Sequence, residues 1–100
     1  MKYGVTTYTK GSVPSEPPAQ FNTLEEAISF MDNVCELLTA FGLVMSCSLD
    51  KGTPAAGYYE VHCHGDDGET TEVFELLGPD ELELEKQRFP AELIAAYYEH

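Results

Sequence analysis

The segment from Thr23 to Gly42 constrains the fold most strongly, because it carries the start signal, the stop signal and the apolar face of one long helix. Thr23 and Glu26 have the spacing of a capping box, which satisfies two backbone N–H groups at a helix start. Gly42 can end the helix in the left-handed conformation. Apolar residues recur between these ends every three or four positions: Leu24, Ala27, Ile28, Met31, Val34, Cys35, Leu38 and Phe41. We therefore predict a helix from Thr23 to Phe41 with one buried face.

Three strands are predicted after this helix. Residues 43–49 and 58–64 each alternate apolar and polar side chains, and residues 70–77 form a further strand-like run. The sequence DKGTPAAG at 50–57 has turn chemistry, and Asp66-Asp67-Gly68 marks a tight hairpin. Short turns between successive strands predict an antiparallel meander.

The alternation also assigns the faces of these strands. The predicted inward residues are Leu43, Met45, Cys47 and Leu49 in the first strand, and Tyr59, Val61 and Cys63 in the second. His62 and His64 then point outward, so neither imidazole can reach the Cys63 sulfur. The three cysteines, Cys35, Cys47 and Cys63, form no closely spaced pair, so the sequence predicts neither a disulfide framework nor a CxxC site. We interpret all three as small core residues.

The two ends of the chain complete the predicted fold. Residues 2–9 are rich in Thr, Tyr and Val and predict a first strand, whereas the three prolines within 11–18 predict a loop. Pro79 and the acids after it suit a helix start, although residues 80–88 also suit an edge strand, and a helix is predicted over 91–99. We expect one α+β domain spanning residues 1–100, of order β-α-β-β-β-α. Its antiparallel sheet carries the long helix on one face, with the C-terminal helix beside it.

The order of elements from the long helix onward resembles that of double-stranded-RNA-binding domains. Those domains carry lysines at the start of their last helix, and this chain has Pro79, Asp80 and Glu81 there. The resemblance therefore stops at element order, and we reject an RNA-binding function on these residues.

The charge balance restricts the partners. There are 18 acidic residues against 5 basic ones, which gives a formal net charge of −13. Such a charge repels nucleic acid and anionic lipid, because both are bound largely through Lys and Arg, and it attracts basic protein surfaces. The free thiols, the lack of a secretory signal and the lack of a membrane-spanning apolar run predict a cytoplasmic protein.

Half of the acidic residues are concentrated in twenty positions that contain no Lys or Arg. They are Asp66, Asp67, Glu69, Glu72, Glu75, Asp80, Glu81, Glu83 and Glu85. We predict that these carboxylates dock on a basic surface of a partner protein, with Glu25, Asp32 and Glu36 as a second patch. A narrower form of this prediction is that the surface is the partner's nucleic-acid-binding one. A row of carboxylates on a rigid scaffold can imitate phosphates, as in small phage-encoded inhibitors of defence or transcription machinery. The alternative interpretation is a solvated acidic face.

Two further functions compete with this hypothesis. His62 and His64 lie two apart on a strand and could share a zinc ion with Glu60 or Glu72, although no complete ligand set is present. Phe30 and Leu37 widen the apolar arc of the long helix, and we expect them to pack on a second helix or, together with tyrosines, to form a homodimer. No nucleophile-elbow, dinucleotide-binding or P-loop motif occurs, so we predict neither enzyme activity nor a cofactor.

Overall fold

The computed structural model describes residues 2–53 and 58–98, which form five strands and three helices. In chain order these are β1 (Tyr3–Thr9), β2 (Ala19–Phe21), α1 (Leu24–Ala40), β3 (Ser46–Thr53), β4 (Tyr58–His64), β5 (Thr70–Leu77), α2 (Pro79–Lys86) and α3 (Ala91–Tyr98). The strands pair antiparallel in the order β2-β1-β5-β4-β3. The predicted α+β class, with a long helix on an antiparallel sheet, is therefore confirmed. The three-residue strand β2 was not predicted.

Helix α1 begins and ends on the local signals in its sequence. The Thr23 hydroxyl accepts the Glu26 backbone N–H at 3.2 Å and satisfies one of the free donors of the first turn. At the other end Gly42 has a φ of 73°, a conformation that side-chain-bearing residues rarely adopt. Both bounds therefore agree with the prediction within one residue.

The main core lies between α1 and one face of the sheet. Ala27, Met31 and Cys35 on the helix are buried. They pack with Val5, Val44, Val61, Cys63, Phe74 and Leu76. Complete burial of a side chain of this size stabilises a fold by roughly 1.5–3 kcal/mol. This core holds α1 across the strands that carry the candidate sites.

The predicted strand at 43–49 is wrong in position. Leu43 and Met45 are 71% and 59% exposed, whereas Val44, predicted outward, is buried. The backbone N–H groups of Leu43 and Val44 both bond the Leu38 carbonyl at the end of α1, so these residues belong to the helix end and β3 begins only at Ser46. The strand then continues through residues 50–53, which were predicted as turn; the rest of that turn, 54–57, lies outside the described residues, as does the Leu49 side chain.

Helix α2 packs on the sheet face opposite α1. Gly4 alternates with the core residue Val5 and therefore faces away from α1, and the completely buried Leu82 of α2 lies against it. Leu77 and Val73 share this face by register and are also buried, which makes a second, smaller core. Residues 80–86 are thus helix, and the edge-strand alternative is excluded.

Helix α3 runs beside the β2 edge of the sheet. The Tyr98 hydroxyl donates a hydrogen bond to the Pro18 carbonyl, and the Lys86 ammonium lies 4.7 Å from the centre of the Tyr98 ring. Phe30 of α1 packs on Phe21 of β2, with ring centres 5.0 Å apart, and Leu37 is exposed. The expected packing of Phe30 against a second helix is therefore wrong. Within the described part of the chain, none of the helices has the length and apolarity needed to span a membrane.

Candidate functional site

The predicted acidic residues are divided into two groups by strand β5. The hairpin acids, Asp66, Asp67 and Glu69, precede the strand, and the acids of α2 follow it. Strand β5, whose eight residues span about 24 Å at about 3.4 Å per step, separates the two groups along the chain. Glu72 and Glu75 lie between them but on opposite faces. Glu72 is opposite Cys63 on the α1 face, and Glu75 is opposite Thr6 on the α2 face. The carboxylates therefore do not form one continuous row.

The hairpin acids stand at an ordered and exposed turn. Gly65 N–H bonds the Glu69 carbonyl at 2.8 Å and Gly68 N–H bonds the Gly65 carbonyl at 3.0 Å, while Gly68 has a φ of 80°. These bonds fix the backbone that presents Asp66, Asp67 and Glu69, all of which are exposed. Among the described side chains, no Lys or Arg forms an ion pair with these three carboxylates.

The second group lines a cavity that we call the α2 groove. It has a volume of about 560 Å³ and lies between α2, β5 and the loop before β2. Three carboxylates line it, those of Glu75, Glu81 and Glu85, together with Arg88 and the exposed Leu84. An acidic groove with an apolar rim can accept a basic side chain and the apolar residues beside it.

The acids of α2 are partly compensated within the helix. Glu83 pairs with Lys86 at 3.3 Å, and Glu85 pairs with Arg88. The Glu81 carboxylate accepts the Gly78 backbone N–H at 3.4 Å, so it also caps the helix. Surface ion pairs contribute only about 0–1 kcal/mol, because solvent screens them, so a cationic partner can replace them at little cost. Asp80 and Glu83 are exposed and complete the acidic side of α2.

A polar network runs across the α2 face of the sheet. Burial first, and then the charge and hydrogen bond of Glu75, raise the pKa of Tyr8 to about 12. Glu60 lies opposite Glu75 and is 2.7 Å from the His62 imidazole. The side chains of both Glu60 and His62 are mostly buried, which makes this network part of the packing and not a solvated fringe.

His62 and His64 lie on the α2 face of the sheet, on the side opposite Cys63 as predicted, but their rings make different contacts. His62 contacts Glu60, whereas the His64 Nε2 lies 2.7 Å from the Ser48 hydroxyl of the neighbouring strand. Glu72, predicted as an additional ligand, lies on the opposite face of the sheet. Within the described residues these two histidines do not gather a third metal-ligating group around one point.

The structure brings together a set of residues that the sequence did not associate. Cys35 from α1, Cys47 from β3 and Cys63 from β4 place their three sulfur atoms within 4.8 Å of one another. The Cys47 and Cys63 sulfurs are 3.2 Å apart on directly opposite residues of the two strands. We call these three residues the thiol cluster. The prediction that each cysteine faces the core is consistent with this position, but their convergence was missed.

The thiol cluster is reduced, and two of its thiols are poorly nucleophilic. All three cysteines are free. Burial is the largest cause that raises the pKa of the Cys35 and Cys63 thiols, and their contacts with Cys47 raise it further. Because the thiolate is the reactive form of cysteine, Cys35 and Cys63 are unsuited to nucleophilic catalysis at neutral pH.

Comparisons of the chain with protein-family models, with curated proteins and with solved structures find no match.

Proposed function

We propose that this protein is an acidic inhibitor or adaptor that docks on a basic surface of a larger partner protein. One observation carries the proposal: nine carboxylates within residues 66–85 are held on a hairpin, a strand and a helix instead of a disordered tail. A net charge of −13 accelerates association with a cationic surface and opposes direct binding to nucleic acid or anionic lipid. The three free thiols fit a reducing compartment, so the proposed location is the cytoplasm.

The α2 groove is the proposed contact for an Arg or Lys side chain of the partner. Glu81 and Glu85 come from one helix and Glu75 from the strand beneath it, so three carboxylates face one cavity. The exposed Leu84 and Val13 lie at the same cavity and offer apolar contact to the stem of a long basic side chain. The hairpin acids, which precede β5, would add a second contact.

The test begins with capture of a partner from native lysate at low and at high salt, followed by affinity measurements with the purified partner. The informative variant is Glu81→Gln combined with Glu85→Gln. Glutamine retains the acceptor that caps Gly78 and the acceptor that faces Arg88, so the fold is kept while two charges are removed. At about 0.2–1 kcal/mol per pair, affinity should fall roughly 2- to 30-fold at low salt.

The matched control is Glu26→Gln with Glu92→Gln, which removes the same charge from exposed residues that belong to neither predicted acidic patch, while the glutamine at position 26 keeps the capping-box acceptor. This control should bind like the wild type. If the control weakens binding as much as the groove variant, net charge alone drives association and the groove has no role. If affinity is the same at low and high salt, the electrostatic mechanism is wrong.

Nucleic-acid mimicry is a finer form of the same proposal. The hairpin acids and the α2 groove are two separate carboxylate groups on one folded scaffold, and such groups can imitate phosphates of a nucleic-acid backbone. A mimic occupies the partner's nucleic-acid groove, so DNA or RNA should displace it competitively. If a ternary complex forms with unchanged affinity, the protein docks elsewhere on the partner and is an adaptor.

A second candidate function is self-assembly into a homodimer. It is favoured by four exposed apolar side chains at the end of α1 and in the turn after it: Leu37, Phe41, Leu43 and Met45. Burying such side chains between two copies of the chain would remove their apolar surface from contact with water. Light scattering over a range of concentrations tests this idea, and a monomer at the highest concentration excludes it. Phe41→Ser is the corresponding variant, because Phe41 is 76% exposed.

A further inference from the structure

The thiol cluster is built from three separate elements that the core holds in place. Cys63 is completely buried and Cys35 nearly so. Cys47 is half-buried and lies beside Cys63 on β4 and Cys35 on α1. Their sulfur atoms all lie within 4.8 Å of one another. Two adjacent cysteines can be explained by packing alone, but three sulfurs directed at one point create a donor set of one chemical type.

We propose that Cys35, Cys47 and Cys63 bind a thiophilic metal ion of the Zn²⁺ or Cu⁺ type. Metal–sulfur bonds of about 2.3 Å require sulfur atoms about 3.8 Å apart in a tetrahedral site and about 4.0 Å apart in a trigonal one. The Cys47–Cys63 separation of 3.2 Å must open by about 0.6 Å, and the remaining sulfurs are already within 4.8 Å. Side-chain rotations of this size leave the backbone in place.

The type of donor selects the class of metal. Thiolates are soft ligands that favour Cu⁺ and Zn²⁺, and they are poor ligands for Mg²⁺ or Ca²⁺, which prefer oxygen. Each thiol that binds releases its proton to solvent, so the bound form has three metal–sulfur bonds in place of three S–H bonds. Among the described residues no imidazole or carboxylate joins the three sulfurs at this point.

A surface groove on one side of the thiol cluster gives access to the sulfur atoms and has room for a further ligand. Cys35 and Cys47 line a surface groove of about 560 Å³, together with Glu36, Met45 and Ser46. A metal ion can enter through this groove. A three-coordinate Cu⁺ would be complete with the three thiolates, whereas Zn²⁺ would take a fourth ligand from the groove, such as a water molecule.

The experiment uses the reduced 100-residue chain, without an affinity tag and in the absence of oxygen. Zn²⁺ and Cu⁺ are titrated separately, and Co²⁺ serves as the spectroscopic substitute for Zn²⁺, because thiolate-to-cobalt charge transfer reports sulfur ligation. One equivalent should bind, and native mass spectrometry should show the mass of the metal less the displaced protons. The metal ion that binds with the higher affinity, Zn²⁺ or Cu⁺, is the one that we assign to the site. Bound metal should also protect the three cysteines from alkylation in the folded protein.

Cys47→Ala is the test variant, since Cys47 is the least buried of the three and its loss disturbs the core least. Metal affinity should fall by at least about 100-fold, more than the cost of losing a group that merely orients a ligand. Ser46→Ala is the matched control in the same groove and should bind like the wild type.

Three results would overturn the proposal. One is less than stoichiometric binding by the wild type with every metal tested. Another is a Cys47→Ala variant that binds as tightly as the wild type. The third is binding that survives this variant but is lost when His62 and His64 are replaced by alanine. If Cys47→Ala does not fold, the alkylation and mass measurements on the wild type decide alone. None of these outcomes bears on the acidic surface, so this proposal and the proposed function fail independently.

Discussion

Replacement of Gly4 by alanine tests how α2, which carries four of the nine clustered acids, is held on the sheet. A Cβ atom on Gly4 would lie 2.7 Å from Cδ1 of Leu82 and 3.4 Å from the Ala19 carbonyl oxygen. Carbon atoms in contact are ordinarily about 3.5–4.0 Å apart, so Leu82 must move by about 1 Å. Leu82 is completely buried and cannot move freely. Overpacking of this kind should lower the free energy of unfolding by about 1–3 kcal/mol.

A double-mutant cycle separates this clash from any intrinsic effect of alanine in a strand. Leu82→Ala alone should cost about 2–5 kcal/mol, because it leaves a cavity under α2. In that background the new methyl group of Gly4→Ala meets no Leu82 side chain. Its cost should therefore vanish, or become a gain of about 0.4–1 kcal/mol from the stiffer unfolded chain.

Urea unfolding, followed by circular dichroism, measures all four proteins. The coupling between the two sites should be about 1–3 kcal/mol, with unchanged m-values. Additive effects, or a Gly4→Ala variant as stable as the wild type, would refute the packing of Leu82 on β1. The acids of α2 would then have no fixed position relative to Glu75.

Three further predictions concern stability and titration. Thr6→Val should stabilise the fold by about 1 kcal/mol in urea unfolding, because the buried Thr6 hydroxyl has no hydrogen-bond partner among the described residues. Thr23→Ala should cost about 1 kcal/mol through loss of the α1 cap, while Thr23→Ser should be nearly neutral. Tyr8 and Tyr98 each have a pKa raised to about 12, chiefly by burial, so the folded protein keeps protons that the unfolded chain loses near pH 10. The contribution of these two tyrosines to the free energy of unfolding is therefore complete below about pH 10 and decreases as the pH rises towards 12. In an absorbance titration, Tyr8→Phe should lack one of the tyrosines that ionise late.

Elements with local signals were predictable from the sequence. Helix α1 has its cap at Thr23 and its left-handed stop at Gly42, and both operate within a few residues of chain. The hairpin at Gly68 is likewise specified by its own turn residues. The start of β3 was not predictable in this way. The apolar run after Gly42 suits either a strand or a helix end, and only the bonds to the Leu38 carbonyl decide between them.

Long-range packing determined what the sequence could not show about the acidic site. The pattern of residues 66–85 identified the carboxylates but not the side of the sheet on which α2 lies. That side depends on Gly4, which has no side chain to obstruct Leu82. The position of the α2 acids beside Glu75 therefore depends on a contact between residues far apart in the chain.

The sequence predicted that the cysteines of the thiol cluster face the core, but it did not predict that their sulfur atoms converge. Strand alternation predicted that Cys47 and Cys63 both face the core. Directly opposite residues of an antiparallel pair lie on the same face of the sheet. The alternation therefore restricted the partner of Cys47 to Tyr59, Val61 or Cys63. A hairpin centred on the predicted turn at 50–57 would instead have placed Cys47 opposite Glu60, an outward residue. Strand β3 instead continues to Thr53 opposite Tyr58, a register that by itself would place Cys47 opposite His64. The irregularity between Leu49 and Lys51 shifts the pairing by one residue and brings Cys63 opposite Cys47. Alternation thus determined the side of the sheet, but the extension of β3 to Thr53 and the irregularity within it determined the partner, and neither is visible in the alternation.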